Sequence, residues 1–345
     1  MLAQVQRSFG GEAALAFEEV ADPVPAAGEV VVAVRACALN RLDLLQRDAP
    51  LVRGFALPHV AGMDVAGVVV ARHVDLADGS GPAIGDSVVI DPVNTCGECE
   101  RCTHGLAPYC ENLRTVGSTR PGGFAELVAA PASRVFPMPS GLTFVEAATI
   151  PVAAMTAFHA IAAGAFVPGE SVLVNGAGSG VSLALLQLLQ AKGATVITTA
   201  GGAEKVRRAR TAGYDYAIDY RAENIAEVVR SLTNGHGVSL VIDHVGPALF
   251  AASIESLALG GRMVFCGTTT GTEVVLSLPS VYHWGRTLIG AGGYQPGDFP
   301  VMLDAISATG RSPVIDSVWS FDQLPQAQRR MESGEFFGKI VVELP

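Results

Sequence analysis

Four cysteines lie close together in the segment TCGECERCTHGLAPYC, and they have the residue type and spacing of metal ligands. They are Cys96, Cys99, Cys102 and Cys110. Four thiolates this near in sequence can surround one tetrahedral Zn²⁺, and a small residue such as Gly97 lets the chain curl round the ion. Because the protein would supply all four ligands, the site is closed. We therefore expect zinc to stabilise this segment, residues 94–112, rather than to catalyse.

Two other interpretations of these cysteines remain. A bacterial iron–sulfur motif is spaced C-x2-C-x2-C-x3-C-P. Here seven residues separate the third cysteine from the fourth, and no proline follows the fourth. Two disulfides would need an oxidising compartment. Zinc is favoured over both. The other two cysteines, Cys37 and Cys266, stand alone and fit small buried hydrophobic residues.

A glycine-rich turn, NGAGSGVS, follows the apolar segment Ser171–Val174 and precedes a long apolar stretch of helical pattern. Small residues at such a turn allow backbone N–H groups at a helix N-terminus to approach a pyrophosphate. The regular G-x-G-x-x-G is not met, and a glycine-rich turn can also serve helix–strand packing alone. Its place after the first of six strands favours a dinucleotide site. The candidate contacts are Gly178, Ser179, Gly180 and Val181.

Strands and helices alternate after about residue 150. The predicted strands are Ser171–Val174, Thr195–Thr199, Tyr216–Ile218, Leu240–Asp243, Arg262–Cys266 and Thr287–Ile289. The predicted helices between them are Val181–Lys192, Glu204–Ala212, Ile225–Leu232 and Ala248–Leu259. This alternation predicts a doubly wound parallel sheet, covered by helices on both faces. After Gly297 we expect a helix over Val301–Ala308, a loop, a helix near Pro325–Met331 and a strand over Lys339–Val342.

Residues 1–150 show a different pattern, with short apolar runs such as Val30–Val34 and Val65–Val70 between Gly/Pro turns. This pattern is typical of a β-rich domain.

The composition excludes several classes of protein. The chain has 345 residues, enough for about two domains, with 33 acidic against 23 basic residues and a net charge of −10. This balance argues against a nucleic-acid or anionic-membrane surface. The longest uncharged stretches, Ala147–Gly169 and Ser171–Ala191, are rich in Ala and Gly and make poor membrane spans. We therefore expect a soluble, cytoplasmic protein that acts on a small molecule.

The chain resembles the medium-chain dehydrogenase/reductase superfamily over essentially its whole length. The resemblance lies in the order of its parts: a β-rich domain, the four-cysteine segment, a doubly wound domain and a short C-terminal segment that returns to the first domain. The resemblance implies an α/β fold with a GroES-like catalytic domain at residues 1–152 and 297–345 and a six-stranded Rossmann domain at 153–296. Members include zinc alcohol dehydrogenases and zinc-free quinone oxidoreductases, many of which lack the cysteine segment. Members are commonly dimers or tetramers, so we expect a homodimer or homotetramer, and the apolar edge strand near Thr287–Ala291 is a candidate interface.

The resemblance also identifies the positions of the catalytic zinc ligands in the alcohol dehydrogenases. Here Asn40 stands for the cysteine of a C-x-x-D motif that ends in Asp43, Met63 stands for the histidine of a G-H-E motif, and Val152 lies near the third ligand. Asn, Met and Val cannot together supply the donors that a catalytic Zn²⁺ requires. His59 alone does not make a metal site. We therefore predict that the catalytic metal is absent.

Candidate catalytic and cofactor residues follow from the same resemblance. Asn40 is the candidate to orient the substrate or the nicotinamide ribose, since its amide both donates and accepts. Asp43 is either part of this site or a structural hydrogen-bond acceptor, and the second role is slightly favoured. Further implied cofactor contacts are Thr156 beside the nicotinamide, Cys266 and Gly267 in its loop, and Val245 on the adenine side. Ordinary core packing explains Val245 and Cys266 equally well.

The choice of cofactor depends on the end of the second strand. Sites for NAD place an acidic residue there to bind the ribose 2′-hydroxyl, and here that position is Ala200, followed by Gly201. The similar quinone oxidoreductases use a Lys and a Tyr at the positions of Lys205 and Tyr220 to hold a 2′-phosphate. A solvated helix face and a partly buried aromatic are the alternative roles of these two residues. The combination predicts NADP(H).

These observations predict an NADPH-dependent oxidoreductase that transfers hydride to a quinone or an α,β-unsaturated carbonyl without a catalytic metal. A conjugated acceptor spreads the developing charge, so that hydrogen bonds can replace a Lewis acid. Two alternatives stay open. One is a zinc alcohol dehydrogenase with unrecognised ligands, and the other is a non-catalytic NADPH-binding protein, as some lens crystallins of this family largely are.

Overall fold

Two units divide the residues that the computed structural model describes, which are 1–76 and 81–345. The first unit comprises Met1–Ala153, Gln295–Leu303 and Ser312–Pro345, and the second comprises Ala154–Tyr294 and Asp304–Arg311. The strands, in chain order, are β1 Leu2–Gln6, β2 Leu15–Glu19, β3 Glu29–Ala38, β4 Asp64–Arg72, β5 Ser87–Ile90, β6 Val93–Asn94, β7 Arg114–Thr115, β8 Leu127–Pro131, β9 Val135–Pro137, β10 Ser171–Val174, β11 Thr195–Ala200, β12 Ala217–Asp219, β13 Val238–Asp243, β14 Leu257–Phe265, β15 Thr287–Gly290, β16 Ile315–Ser320 and β17 Lys339–Glu343.

The helices are mostly short in the first unit and longer in the second. In chain order they are α1 Arg41–Leu45, α2 Glu100–Thr103, α3 Phe144–Ala147, α4 Pro151–Ala163, α5 Gly180–Ala191, α6 Ala203–Thr211, α7 Ile225–Leu232, α8 Pro247–Ser256, α9 Pro279–Tyr282, α10 Asp298–Ser307 and α11 Leu324–Glu332. Among the described residues, no helix is long and apolar enough to cross a membrane.

A seven-stranded sheet organises the first unit. Its strands run in the order β16-β17-β3-β4-β5-β9, with β8 also paired to β3. All pairs are antiparallel except β16–β17. Strand β3 is buried along most of its length, which explains its nearly continuous apolar sequence. Its carboxyl end leads directly into α1 and so fixes where the residues after Ala38 lie.

The second unit is the predicted doubly wound domain. Its six strands are all parallel, in the order β12-β11-β10-β13-β14-β15. The chain direction across the sheet reverses between β10 and β13, and ligands of such sheets bind at the carboxyl ends of the strands beside that reversal. The α/β fold, with a β-rich domain and a parallel-sheet domain, is confirmed.

Three details of the sequence prediction were wrong. The predicted helix Ala248–Leu259 ends at Ser256, because Leu257 pairs with Val238 and opens β14. Strand β16 falls where a loop was predicted, since its half-buried positions alternate irregularly.

The third correction concerns the second domain boundary. Residues 304–311, predicted within the first domain, belong to the second unit. There the Gln187 side chain donates hydrogen bonds to Thr309 Oγ1 and to the Arg311 carbonyl.

Candidate functional site

The four cysteines of the predicted zinc segment come together in the connection between β6 and β7, which contains α2. Their Sγ atoms all lie within 4.8 Å of one another, with separations of 3.9 Å for Cys96–Cys102, 3.9 Å for Cys99–Cys110 and 3.4 Å for Cys96–Cys110. Four sulfurs bound to one tetrahedral Zn²⁺ at about 2.3 Å would lie about 3.8 Å apart. The donor set therefore fits a structural zinc ion.

Asn40 and Asp43 stand together at the junction of β3 and α1. Asn40 is the residue that caps α1, and its backbone N–H donates to Asp43 Oδ2 at 2.7 Å. Asp43 Oδ1 accepts from the Gly62 N–H at 3.3 Å. The Asp43 carboxyl is fully buried, and burial raises its pKa to about 7. Both oxygens of Asp43 thus hold backbone groups, which agrees with the structural role that the sequence slightly favoured.

A buried ion pair lies beside Asn40, and the sequence analysis did not find it. The Lys339 ammonium donates to Asp64 Oδ2 at 2.7 Å, to Asn40 Oδ1 at 2.9 Å and to the Leu39 carbonyl at 2.8 Å. The Asn40 amide donates to the same Asp64 oxygen at 2.9 Å, and the Val152 N–H donates to Asp64 Oδ1 at 2.7 Å. The side chains of Lys339 and Asp64 are 8% and 0% exposed. We call Asn40, Asp64 and Lys339 the Lys339 cluster.

One sequence signal could have pointed to Lys339. It is the first residue of a strand that is otherwise apolar, KIVVE, and a lysine is almost never fully buried unless it is paired. The partner could not be identified from sequence, because Asp64 stands 275 positions earlier.

In the second unit, the glycine-rich turn joins β10 to α5. Ser179 caps the helix, and its Oγ accepts a hydrogen bond from the Val181 N–H at 3.2 Å. Gly176 has φ +75°, and a Cβ built on it would lie 3.2 Å from Val245. The turn thus places the predicted residues 178–181 at the N-terminus of a 12-residue helix, where backbone N–H groups and the helix dipole favour a pyrophosphate.

Next to this turn, polar side chains connect the carboxyl ends of neighbouring strands by hydrogen bonds. Asn175 donates to Asp243 Oδ1 at 2.8 Å and to Ser253 Oγ at 2.7 Å, and it accepts from Thr199 at 3.2 Å. These residues are buried, so a low-dielectric surrounding strengthens the network. It holds the carboxyl ends of β10, β11 and β13 in register.

His244 links the glycine-rich turn to the end of β13. Its Nε2 lies 2.7 Å from Ser182 Oγ, and Ser182 donates to the Asn175 carbonyl at 2.7 Å, so the histidine N–H is the donor to the serine. Burial lowers the pKa of His244. A Cβ on Gly267 would lie 2.9 Å from the Cβ of His244, which explains a glycine at that predicted position.

Cys266, the neighbour of Gly267, is held at the end of β14. Its backbone N–H donates to the Asp243 carbonyl at 2.9 Å, and burial raises the pKa of its thiol to about 12. Cys266 therefore lines this edge as a neutral thiol. Thr156, which was predicted to lie beside the nicotinamide, is half-buried within α4 of the second unit.

The residues predicted for cofactor choice surround the end of β11. Gly201 follows Ala200, the last residue of that strand. A Cβ on Gly201 would overlap the Tyr220 hydroxyl and lie 2.7 Å from Tyr220 Cζ, so Tyr220 fills the space that a side chain at 201 would take. Lys205 lies in the first turn of α6. Arg221, which the sequence analysis did not identify, also lies beside Gly201 and Gly202.

Comparison with known proteins gives one consistent result. Residues 26–140 match the family described as alcohol dehydrogenase GroES-like domain, and residues 180–308 match the family described as zinc-binding dehydrogenase. A zinc-type alcohol dehydrogenase-like protein of Schizosaccharomyces pombe is 31% identical over 92% of this chain and 91% of its own length.

Solved structures agree with these matches. A crystal structure of an NAD-dependent alcohol dehydrogenase superposes with a TM-score of 0.93, at 35% identity over the full length of both chains. The crystal structure of AibC superposes with a TM-score of 0.90, at 31% identity over 100% of this chain and 96% of the other.

Proposed function

Because the chain belongs to the medium-chain dehydrogenase/reductase superfamily, among relatives of the zinc-type alcohol dehydrogenases, we propose that it reduces a conjugated acceptor with NADPH and without a catalytic metal. The protein is an oxidoreductase of this family. The acceptor class is a quinone or an α,β-unsaturated carbonyl. The single observation that carries the metal-free part of the proposal is the Lys339 cluster.

The donors at the catalytic position do not fit zinc. A catalytic Zn²⁺ takes three protein ligands from imidazole, thiolate or carboxylate and keeps one position open. Asn40, Met63 and Val152 offer an amide, a thioether and an alkyl group. The nearby Asp64 carboxylate already accepts from Lys339, from Asn40 and from the Val152 N–H. A divalent cation there would also meet the ammonium of Lys339, and like charges repel. Among the described residues, the cysteine cluster is the one group of three or more His, Cys, Asp or Glu residues with ligand atoms close enough for a metal.

The four cysteines do fit a zinc ion, and its role would be structural. Cys96, Cys99, Cys102 and Cys110 would hold it with no open position for substrate. A zinc ion there would stabilise the segment by tying α2 to the residues before and after it.

The second unit fits a dinucleotide, and we propose NADP(H). The turn at Gly178, Ser179, Gly180 and Val181 offers backbone N–H groups for the pyrophosphate. At the end of β11, Ala200 and Gly201 present no carboxylate to repel a 2′-phosphate, and Tyr220 and Lys205 supply a hydroxyl and an ammonium. The structural relative named above is NAD-dependent by its own description, and the residues around Gly201 support a different cofactor for this chain.

Bound NADPH supplies the hydride, and the side chains of this protein position the acceptor. The Asn40 amide has two hydrogens, of which one goes to Asp64. We assign the second to orient the acceptor oxygen or the nicotinamide ribose. For an enone, hydride adds to the β-carbon, the charge spreads to the oxygen, and a solvent proton completes the α-carbon. Hydrogen bonds to that oxygen stabilise the developing charge.

An acceptor panel tests the proposal. We expect NADPH oxidation with 9,10-phenanthrenequinone and with 2-cyclohexenone, and none with the matched saturated ketone cyclohexanone. The enone product should be cyclohexanone rather than the allylic alcohol. Reduction of cyclohexanone itself would favour an alcohol dehydrogenase, and NADPH binding without turnover on any acceptor would favour a binding protein.

The assembly and the site of action belong to the same proposal. We propose a homodimer or homotetramer that works in the cytoplasm on a small molecule. The net charge of −10 supports the exclusion of nucleic acid and of anionic membrane surfaces as partners.

A further inference from the structure

Asp219 ties together the two loops that follow β11 and β12. Its Oδ1 accepts the Gly202 N–H at 2.9 Å and the Arg221 N–H at 3.0 Å. Gly202 has φ +96°, a conformation that favours glycine. One carboxylate oxygen therefore fixes the backbone of Arg221 directly beside the Gly201–Gly202 turn.

The side chain of Arg221 lies along these two glycines. Its Nε is 3.3 Å from the position of a Cβ on Gly201, and its guanidinium nitrogen NH1 is 3.6 Å from that of a Cβ on Gly202. The residue is exposed. Within the part of the chain that the structure describes, its guanidinium makes no hydrogen bond or ion pair. Its N–H donors thus face solvent beside the Tyr220 hydroxyl.

The neighbouring carboxylates are already engaged by other groups. Asp219 accepts the two backbone N–H groups, and Glu223 Oε2 accepts the Asp219 N–H at 2.9 Å. Glu204, in the first turn of α6, pairs with Arg207 at 2.6 Å. Arg221 is therefore left with its charge available to a ligand.

We propose that Arg221 is the residue that selects a 2′-phosphorylated dinucleotide, acting together with Tyr220 and Lys205. The inference rests on the proposed use of NADPH and names a determinant of it. A guanidinium meets two phosphate oxygens at once through its planar fork, whereas the ammonium of Lys205 acts as a point charge. Gly201 is needed as well, because any side chain there would displace Tyr220 and crowd Arg221.

Binding measurements by calorimetry test this without turnover. The probes are NADPH, NADH, 2′,5′-ADP and 5′-AMP, and the variants are R221A, R221K and the control R207A, whose arginine is exposed and paired with Glu204. We expect R221A to weaken NADPH and 2′,5′-ADP about tenfold or more, which is the size of a charge-assisted phosphate contact. NADH and 5′-AMP should bind as to the unmodified protein, R221K should fall between, and R207A should change nothing.

These measurements distinguish a wrong role for Arg221 from a wrong choice of cofactor. Should the unmodified protein prefer NADPH and R221A retain that preference, the role of Arg221 is wrong and the cofactor proposal stands. Equal weakening of NADPH and NADH in R221A would likewise overturn the inference, because it would indicate a general effect on the fold. If the unmodified protein does not prefer 2′-phosphorylated ligands, both ideas fail. As a second route, G201A should lower NADPH affinity more than NADH affinity.

Discussion

Lys339 Nζ lies 2.7 Å from Asp64 Oδ2 in a part of the first unit where the two side chains are almost wholly buried. A buried ion pair needs further hydrogen bonds to offset the loss of water, and here they come from Asn40, the Leu39 carbonyl and the Val152 N–H. The pair thus brings together the start of β17, the start of β4 and the junction of β3 with α1. It fixes the orientation of the Asn40 amide.

Removing one charge of this pair should destabilise the folded protein. We expect K339M to lower the free energy of unfolding by about 3 kcal/mol or more, because it leaves the Asp64 carboxylate buried without its partner. The double variant D64N/K339M, with neither charge, should recover much of that loss. Urea unfolding followed by circular dichroism measures both.

The exposed pair Arg207–Glu204 is the matched control for this experiment. R207A should change the stability by less than about 1 kcal/mol, as is usual for surface pairs. A K339M protein as stable as the unmodified one, or a double variant no better than K339M, would show that the pair does not hold the site.

The zinc content of the protein should be one ion per chain. The Sγ geometry of the cysteine cluster fits one tetrahedral ion, and the donors around Asn40 fit none. We expect elemental analysis of metal-replete protein to give a ratio near one, and C110A to lose the ion and melt at a lower temperature. The variant C37A, at a cysteine outside the cluster, should keep its zinc. About two zinc ions per chain, or iron with visible absorbance, would contradict this account.

The buried carboxyl of Asp43 should make stability depend on pH. Burial raises its pKa to about 7, above the value of about 3.9 expected in the unfolded chain. Between these two values the folded state binds more protons than the unfolded state, so this group favours folding at low pH and the benefit falls as pH rises.

The variant D43N isolates that effect. We expect its stability relative to the unmodified protein to rise from pH 4 to pH 7 and to level off above about pH 7, in thermal melts taken across this range. D215N, at an exposed aspartate, should show no such trend. A flat difference between D43N and the unmodified protein would mean that Asp43 titrates like an ordinary aspartate.

The edge strand β15 should carry the contact between subunits. In the chain just before it the structure exposes several apolar side chains, among them Val275 at 99%, Leu278 at 69% and Tyr282 at 65%, and an unpaired strand edge tends to be paired or covered. We expect V275E/Y282E to reduce the mass measured by light scattering to that of a smaller assembly. Cofactor binding should be retained. An unmodified protein that is monomeric at all concentrations would rule out this interface.

The sequence predicted those parts of the fold and of the site that depend on neighbouring residues. Strand–helix alternation gave the parallel sheet, and the cysteines were found because they lie within one short segment. Contacts between residues far apart in the chain could not be predicted from the sequence. Leu257 joined β14 rather than the preceding helix because Val238 lies opposite it, and Lys339 finds Asp64 only in three dimensions. Arg221 stood next to a predicted residue, but its place beside Gly201 depends on the two hydrogen bonds that Asp219 accepts.

Metal-independent use of NADPH is the central claim, and one rate measurement tests it most directly. The protein is preincubated with 1,10-phenanthroline, and the initial rate of NADPH oxidation with 9,10-phenanthrenequinone is then compared with that of untreated protein. An open catalytic zinc would be reached by the chelator, whereas a closed four-cysteine site is not needed for the chemistry. We expect the two rates to be equal. A rapid loss of activity that precedes any fall in melting temperature would contradict the account, because it would show that a metal takes part in the reaction.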